Sequence, residues 1–153
     1  MADLNQYVTL GVANDTFAAP VTKVLEILDM RAISRLPRAP ANFLGMIDVR
    51  GQGVPVLDLR LTLGLEAAPD TETTRIVVMS VVGTSGEVTM GLRADRVFEV
   101  TVLDNETLDP PPAVSGSWRN HCIEGIGRRS GQFVTVLDID RLLGEGLETL
   151  SAA

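Results

Sequence analysis

The stretch that decides the fold is GMIDVRGQGVPVLDLRLTLG, residues 45–64, because a related stretch, GIGRRSGQFVTVLDIDRLLG, follows it at residues 125–144. The two stretches are offset by 80 residues, and nine of their twenty aligned positions are identical. Self-similarity at a fixed offset is the sequence signature of a repeated structural unit. The chain is therefore predicted to contain the same local architecture twice.

Each copy is interpreted as a glycine turn, a strand and a short helix. Gly51 and Gly131 supply the positive φ that tight turns require, and the valines after them alternate as they do in a half-buried strand. Asp58 and Asp138 follow, and each is predicted to cap a short helix by accepting an N–H of the first turn. A glycine six residues after each aspartate is the expected end of that helix.

A second shared element precedes each copy. Residues 21–27 read VTKVLEI and residues 94–100 read ADRVFEV, so both contain a valine and a glutamate two residues apart. The element has the same order relative to the glycine turn in both places. The sequence therefore predicts two related β units.

The remaining apolar runs are short, rich in Val, Ile and Leu, and bounded by Gly, Pro, Asp or Asn, which is typical of an all-β protein. Ten strands in a chain of this length favour barrels. The predicted strands are Gln6–Val12, Thr16–Pro20, Leu25–Leu28, Phe43–Val49, Val54–Leu57, Arg75–Val82, Glu87–Ala94, Phe98–Leu103, Ile123–Arg128 and Phe133–Leu137. Residues 67–74 and 107–120 are predicted to be surface loops, and residues 145–153 a flexible tail.

Composition excludes several classes of function. The chain has 153 residues, which fits one domain, and its net charge of −7 has the wrong sign for binding nucleic-acid phosphates or anionic lipid. Cys122 is the single cysteine, so no internal disulfide or multi-cysteine zinc site is expected, and a reducing cytoplasm is the simplest location. No apolar run approaches the ~20 residues of a membrane span, so membrane insertion is not expected.

Candidate catalytic groups are scarce. His121 is the sole histidine, so any catalytic relay would have to use it, and the adjacent Cys122 would point to the opposite face of a strand. The capping role explains Asp58 and Asp138 without acid–base chemistry. No phosphate-binding loop is present, and no cofactor or metal is expected. A small β-barrel hydrolase that uses His121 is the enzymatic alternative.

Arg50 is a polar exception within an apolar strand pattern. It ends the run 46–49 and directly precedes Gly51, whereas the second copy carries Ser130 at the same place. The repeated architecture therefore does not require an arginine there. A guanidinium beside an apolar surface is suited to bidentate pairing with a carboxylate of a partner protein.

Residues 45–60, followed by Leu63-Gly64, resemble the signature of the CheW chemotaxis coupling proteins. Further blocks occur in the order found in that family, and together they cover about residues 4 to 144. These blocks are YVTL at 7–10, VLEI at 24–27, TRIVV at 74–78, GLRADRVFEV at 91–100 and VLDIDRLL at 136–143.

The resemblance implies an all-β fold of two SH3-like five-stranded β-barrels packed side by side, with short helices, in one domain over residues 4–144. It implies a non-enzymatic adaptor that couples the cytoplasmic tip of transmembrane chemoreceptors to the regulatory domain of the histidine kinase CheA. Such a protein is expected to be cytoplasmic and recruited to chemoreceptor arrays. A CheW-like scaffold of a pathway with an output other than motility is the alternative.

The family motif also implies site residues. Carried over position by position, the receptor contacts are Val24, Glu26, Gly45, Ile47 and Arg50. The kinase contacts are expected at Met90, Leu92 and Val102. Asp48 stands where the family commonly has asparagine, so its charge is expected either to hold Arg50 or to compete with a receptor carboxylate.

Overall fold

Ten β-strands carry the fold in the computed structural model, which describes residues 6–83, 86–104, 107–110 and 122–144. They are β1 Gln6–Val12, β2 Asp15–Pro20, β3 Val24–Asp29, β4 Phe43–Val49, β5 Gln52–Asp58, β6 Arg75–Gly83, β7 Gly86–Ala94, β8 Arg96–Val102, β9 Ile123–Arg129 and β10 Gln132–Leu137. A 3-10 turn spans Val21–Lys23, helix α1 spans Leu59–Thr62, and the described residues of helix α2 are 139–144. Every predicted strand is present, with ends that differ by one or two residues at most.

The strands form two five-stranded sheets, as the sequence predicted. One sheet has the order β3-β6-β7-β5-β4 and the other has the order β8-β1-β2-β10-β9. Most neighbours are antiparallel, but β5 pairs with β7 and β10 pairs with β2 in parallel. Leu28 on β3 and Ile47 on β4 share one buried cluster although these strands are the two edges of the first sheet. The first sheet therefore curls until its edges approach each other, as in a barrel.

The two sheets have the same arrangement of strands. The order in which the chain supplies these strands is cyclically permuted in the second sheet. The first unit uses β3 to β7 in chain order, whereas the second uses β8, β9 and β10 and then takes β1 and β2 from the start of the chain. The parallel ladders coincide under the offset of 80, because Val56 lies opposite Gly91 and Val136 lies opposite Ala18. The first and last strands of the chain thus complete the same unit.

The repeated glycines of the sequence occupy equivalent turns. Arg50 and Ser130 have φ of 52° and 53°, and the glycines after them have φ of 84° and 80°. Two consecutive residues with positive φ make the two-residue hairpin turn that matches the twist of the flanking strands. Repetition at these positions therefore reflects backbone geometry rather than chemistry.

Both predicted helix caps are present. Asp58 Oδ1 accepts the Arg60 N–H at 3.1 Å at the start of α1, and Asp138 Oδ1 accepts the Arg141 N–H at 3.2 Å at the start of α2. Helix α1 is shorter than predicted, because it ends at Thr62 and the chain then turns to Gly64, where φ is 85°. The limits 4–144 and the tail 145–153 stay predictions, since residues 4, 5 and 145–153 lie outside the described residues.

The largest core lies between the two sheets. Residues of β1, β2, β6 and β7 contribute to it, together with α1 and α2. The curled first sheet is called the first barrel below. Ile76 and Val78 of β6 point into its interior, while Val77 and Met79 point into the core between the sheets. Strands buried on both faces read as continuous apolar runs, which explains the run from Ile76 to Val82.

Two ion pairs of opposite polarity tie the units together. Arg60 of α1 binds the Asp95 carboxylate at 2.6–3.1 Å, and the same carboxylate accepts the Ala13 N–H from the β1–β2 turn at 2.8 Å. Asp140 of α2, at the position equivalent to Arg60, binds Lys23 at 2.8 and 2.9 Å and accepts the Val82 N–H at 2.8 Å. Each carboxylate therefore joins a helix, an inter-unit connection and a hairpin.

We expect Asp95→Asn to lower the free energy of unfolding at pH 7 by about 2 kcal/mol, because the charge-assisted bonds to Arg60 are lost. The Arg60 guanidinium holds the pKa of Asp95 below its usual value. A carboxylate with a lowered folded pKa stabilises the protein above its unfolded pKa of about 3.9, and this stabilisation is lost as the pH falls through the folded value. Urea titrations at pH 7 and pH 3 should therefore show a difference between variant and parent that shrinks at acid pH.

Asp15→Asn is the matched control, because Asp15 is exposed in the β1–β2 hairpin that the Asp95 carboxylate contacts. It is expected to change the free energy of unfolding by no more than about 0.5 kcal/mol. A cost for Asp95→Asn that persists unchanged at pH 3 would contradict the ionic role.

Candidate functional site

Glu26 and Arg50, two of the predicted receptor contacts, form an ion pair across the edges of the first sheet. Arg50 Nη1 lies 3.0 Å from Glu26 Oε1 and Nη2 lies 2.6 Å from Oε2, which is the bidentate geometry of a guanidinium on a carboxylate. The Arg50 side chain is 75% exposed and that of Glu26 is 28% exposed. The pair therefore joins β3 to the β4–β5 turn and leaves the guanidinium open to a partner.

The hairpin turn positions the Arg50 side chain. Arg50 has a φ of 52°, and Asp48 Oδ1 accepts the Gly51 N–H at 2.7 Å, so Asp48 stabilises the turn. Asp48 therefore takes the backbone rather than the guanidinium as its partner. The Arg50 hydrogen bonds lower the pKa of Glu26, and Glu26 in turn raises the pKa of Arg50. Both groups are charged at neutral pH.

Exposed aliphatic side chains flank the ion pair on β3. Leu25 is 58% exposed and Ile27 is 42% exposed, on either side of Glu26 along the edge strand. Val24 is half-buried and packs against the core between the sheets. Leu25 and Ile27 were not among the predicted contacts, and only the position of β3 at a sheet edge marks them as candidates.

Gly45 and Ile47 do not reach this surface. Ile47 is buried within the first barrel, and Gly45 is buried where β4 meets the segment that precedes it. Gly45 has a φ of 143°, and a side chain there would meet the Ser34 carbonyl oxygen and Ile33. The Ile47 side chain is thus turned into the barrel, and Gly45 could offer a partner only its backbone, so their predicted receptor contacts stay predictions.

The second unit carries a related surface on β8. Phe98, Val100 and Val102 are exposed, and Glu99 lies 3.5 Å from Arg129 Nε, as the equivalent Glu26 pairs with Arg50. The second copy therefore replaces Arg50 with an arginine one position earlier in the turn. The pair Glu99–Arg129 again links the edge strands β8 and β9.

The predicted kinase contacts differ in how far they are buried. Val102 is exposed on β8, whereas Met90 and Leu92 are fully buried in the core between the sheets. On β7 these two residues alternate with Thr89, Gly91 and Arg93, so the pattern itself marks Met90 and Leu92 as an apolar, inward face. They present no surface to a partner, and Val102 is the one predicted kinase contact that does.

The described residues give no support to catalysis. Asp58 and Asp138 cap helices of different units, and Cys122 is buried in the core between the sheets. Across the described part of the chain, no cluster of His, Cys, Asp and Glu has the geometry of a metal site. His121, on which the hydrolase alternative depends, lies outside the described residues.

The length and apolar character of a helix decide whether it could cross a membrane. None of the helices in the described ranges is long and apolar enough to cross a bilayer.

Comparison with known proteins places these features in a family. The model of the CheW-like domain family matches residues 6–146. The chemotaxis protein CheW of Helicobacter pylori is 28% identical over 138 residues, which cover 90% of this chain and 81% of that protein. Protein FrzA of Myxococcus xanthus is 28% identical over 140 residues, which cover 90% of this chain and 84% of that protein.

A solved structure has the same fold. The crystal structure of the scaffolding protein TtCheW from Thermoanaerobacter tengcongensis superimposes with a TM-score of 0.80 and a sequence identity of 24%. The match covers 93% of this chain and 89% of that one. The two five-stranded sheets are thus the architecture of a known scaffolding protein.

Proposed function

This chain belongs to the CheW-like domain family, a family of non-enzymatic chemotaxis scaffolds, and we propose that it couples transmembrane chemoreceptors to the histidine kinase CheA. The observation that carries the proposal is the exposed Arg50 guanidinium, held by Glu26 on an edge strand that also exposes Leu25 and Ile27. In this role the protein works in the cytoplasm and is recruited to chemoreceptor arrays.

The surface on β3 suits the cytoplasmic tip of a receptor, which is a helical hairpin. An amphipathic helix can lay its apolar face on Leu25 and Ile27, and a carboxylate on the helix can bind Arg50. Charges at the rim of an interface contribute to register and to the rate of association more than to total affinity. The interface therefore allows the exchange that a signalling scaffold needs.

Two surfaces from one duplicated plan give an adaptor two partners. The exposed stripe of β8 repeats that of β3 with different side chains, because Phe98 and Val100 take the places of Leu25 and Ile27. We assign the β8 stripe, which includes Val102, to the regulatory domain of CheA. Its location on the other unit permits both partners to bind at once.

The proposal is tested with receptor cytoplasmic fragments and the CheA regulatory domain encoded in the same genome. We expect each to bind the chain and all three to co-elute in size-exclusion chromatography. Leu25→Asp should weaken receptor binding by about tenfold or more and spare the kinase domain, and Phe98→Asp should do the reverse. Each variant is the control for the other.

If the chain fails to bind the receptor fragment, or fails to bind the CheA regulatory domain, the proposed coupling is wrong. Mutually exclusive binding of the two partners would overturn the assignment of separate surfaces.

A further inference from the structure

A cavity of about 280 Å³ lies at the end of the first unit where β5 passes into α1. Its wall is mostly aliphatic and includes Met30, Ile33, Leu44, Leu61 and Pro69. Asp58 and Arg93 also line it, with side chains that are only 3% and 4% exposed. A small apolar cavity with a few convergent polar groups is the usual form of a ligand site.

The negative charge of Asp58 is incompletely compensated. Oδ1 accepts the Arg60 N–H at 3.1 Å, and its distance to Arg93 Nη1 is 3.4 Å, which exceeds the usual length of an N–H···O bond. No hydrogen-bond donor within the described ranges reaches Oδ2. Burial raises the pKa of Asp58 although Arg93 and the Arg60 amide act to lower it. One oxygen of this carboxylate, Oδ2, therefore lacks a donor among the described residues.

Arg93 makes its short hydrogen bonds to the connection between α1 and β6. Its Nε lies 2.8 Å and its Nη2 lies 2.7 Å from Asp70 Oδ1, and Nη2 also donates to the Ala68 carbonyl oxygen at 3.0 Å. These bonds fix the connection between α1 and β6 as one wall of the cavity. The guanidinium thus anchors that wall, and only its longer Nη1 contact of 3.4 Å reaches Asp58.

The duplicated fold does not require this arrangement. Asp138, the equivalent aspartate, caps α2 with a side chain that is 33% exposed. The parallel ladders place Pro20 at the position equivalent to Arg93. Capping alone therefore needs neither the burial of Asp58 nor the buried arginine, and the first unit has acquired both.

We propose that this cavity binds a small primary ammonium compound with a short aliphatic chain, whose N–H groups donate to Asp58 Oδ2. An ionised donor is the strongest partner for a buried carboxylate oxygen, and the aliphatic wall accommodates the chain. None of the described residues on its wall is aromatic, so this wall does not supply the cage that quaternary ammonium ions prefer.

The cavity is separate from the proposed receptor surface. Gly51 precedes β5 and Asp58 ends it, so the two ends lie roughly 20 Å apart along the strand. Ligand binding at Asp58 is therefore independent of the Arg50 contact and of the proposed coupling function.

The test is a titration of the full chain with n-butylammonium chloride at neutral pH, followed by proton–nitrogen NMR. We expect saturable shifts at the Asp58 and Ala68 amides and at the Arg93 Nε–H. The neutral isostere n-butanol should bind about tenfold or more weakly, because it has no charge to place on the carboxylate. Absence of saturable shifts at these groups, or equal binding of n-butanol, would overturn the proposal.

Variants locate the site. Asp58→Asn should weaken binding by about tenfold or more, whereas Asp138→Asn removes the charge of the equivalent cap and should leave binding unchanged. Ala67→Trp places a large ring at an exposed position on the cavity wall and should block entry without altering Asp58. Ala67→Trp decides the matter if Asp58→Asn fails to fold, because undiminished binding in that variant contradicts the site.

Discussion

Gly45→Ala is expected to lower the free energy of unfolding by about 3 kcal/mol or more. Gly45 has a φ of 143°, which side chains rarely adopt, and the new methyl group would meet the Ser34 carbonyl oxygen. That carbonyl cannot retreat easily, because it accepts the Met46 N–H at 2.8 Å while Ser34 N donates to the Met46 carbonyl oxygen. Two backbone hydrogen bonds are therefore placed at risk.

Urea unfolding followed by circular dichroism measures this effect, and Gly53→Ala is the matched control. Gly53 lies on the neighbouring strand, and a methyl group there would meet only the end of the flexible Met46 side chain. We expect the control to cost no more than about 1 kcal/mol. A Gly45→Ala variant as stable as Gly53→Ala would show that Ser34 adjusts without loss.

The same measurement separates a structural role from a binding role. Gly125, the equivalent glycine, lies against Leu108 and the Asp109 carbonyl oxygen, and Asp109 pairs with Ile126 as Ser34 pairs with Met46. The repeat thus preserves glycine where a second segment crosses β4 or β9. Any loss of partner binding in Gly45→Ala is expected to follow from the altered fold.

Arg50→Glu is expected to weaken receptor binding by about tenfold or more while the thermal midpoint stays near that of the parent. The Arg50 side chain is 75% exposed, and exposed ion pairs add little to stability. The substitution also places a second carboxylate beside Glu26, so the surface that should attract a receptor carboxylate becomes repulsive. Calorimetric titration with a receptor cytoplasmic fragment measures the affinity.

Arg38→Glu is the charge-matched control, because Arg38 is exposed and also has a positive φ, of 61°. It should leave receptor affinity unchanged. The exchanged pair Glu26→Arg with Arg50→Glu restores an ion pair of reversed polarity and should still bind poorly. Recovery of binding in the exchanged pair would show that the link between β3 and the turn matters, rather than the charge of Arg50 itself.

The strands and turns were predictable because their signals are local. Gly51 and Gly131 mark turns that need positive φ, and Asp58 and Asp138 mark helix starts whose caps are formed within three residues. The resemblance to CheW proteins placed Glu26 and Arg50 at one site, and the structure brings them into direct contact. Their role in binding a receptor stays a prediction.

Burial was the weaker part of the prediction. Met90 and Leu92 were expected on a surface and lie in the core, and Ile47 was expected in a groove and lies inside the first barrel. On β4 both faces carry apolar residues, so alternation alone did not show that Ile47 lies inside. On β7 the alternation did mark Met90 and Leu92 as an apolar face, and the family resemblance was followed against it. The outward stripe of Leu25 and Ile27 was missed because a strand pattern does not show which strand is an edge.

The sequence by itself determined the ten strands, their turns and the existence of two related units, since each depends on residues close together along the chain. Only the tertiary structure decided how the second unit is completed, because β2 pairs with β10 and β1 with β8 across most of the chain. Backbone hydrogen bonds between strands are the same for any sequence, so local patterns do not specify distant partners. The buried pair Asp58 and Arg93 exists only once β5 and β7 have paired within the first sheet. The opposed ion pairs of Arg60 and Asp140 exist only after the two units have packed.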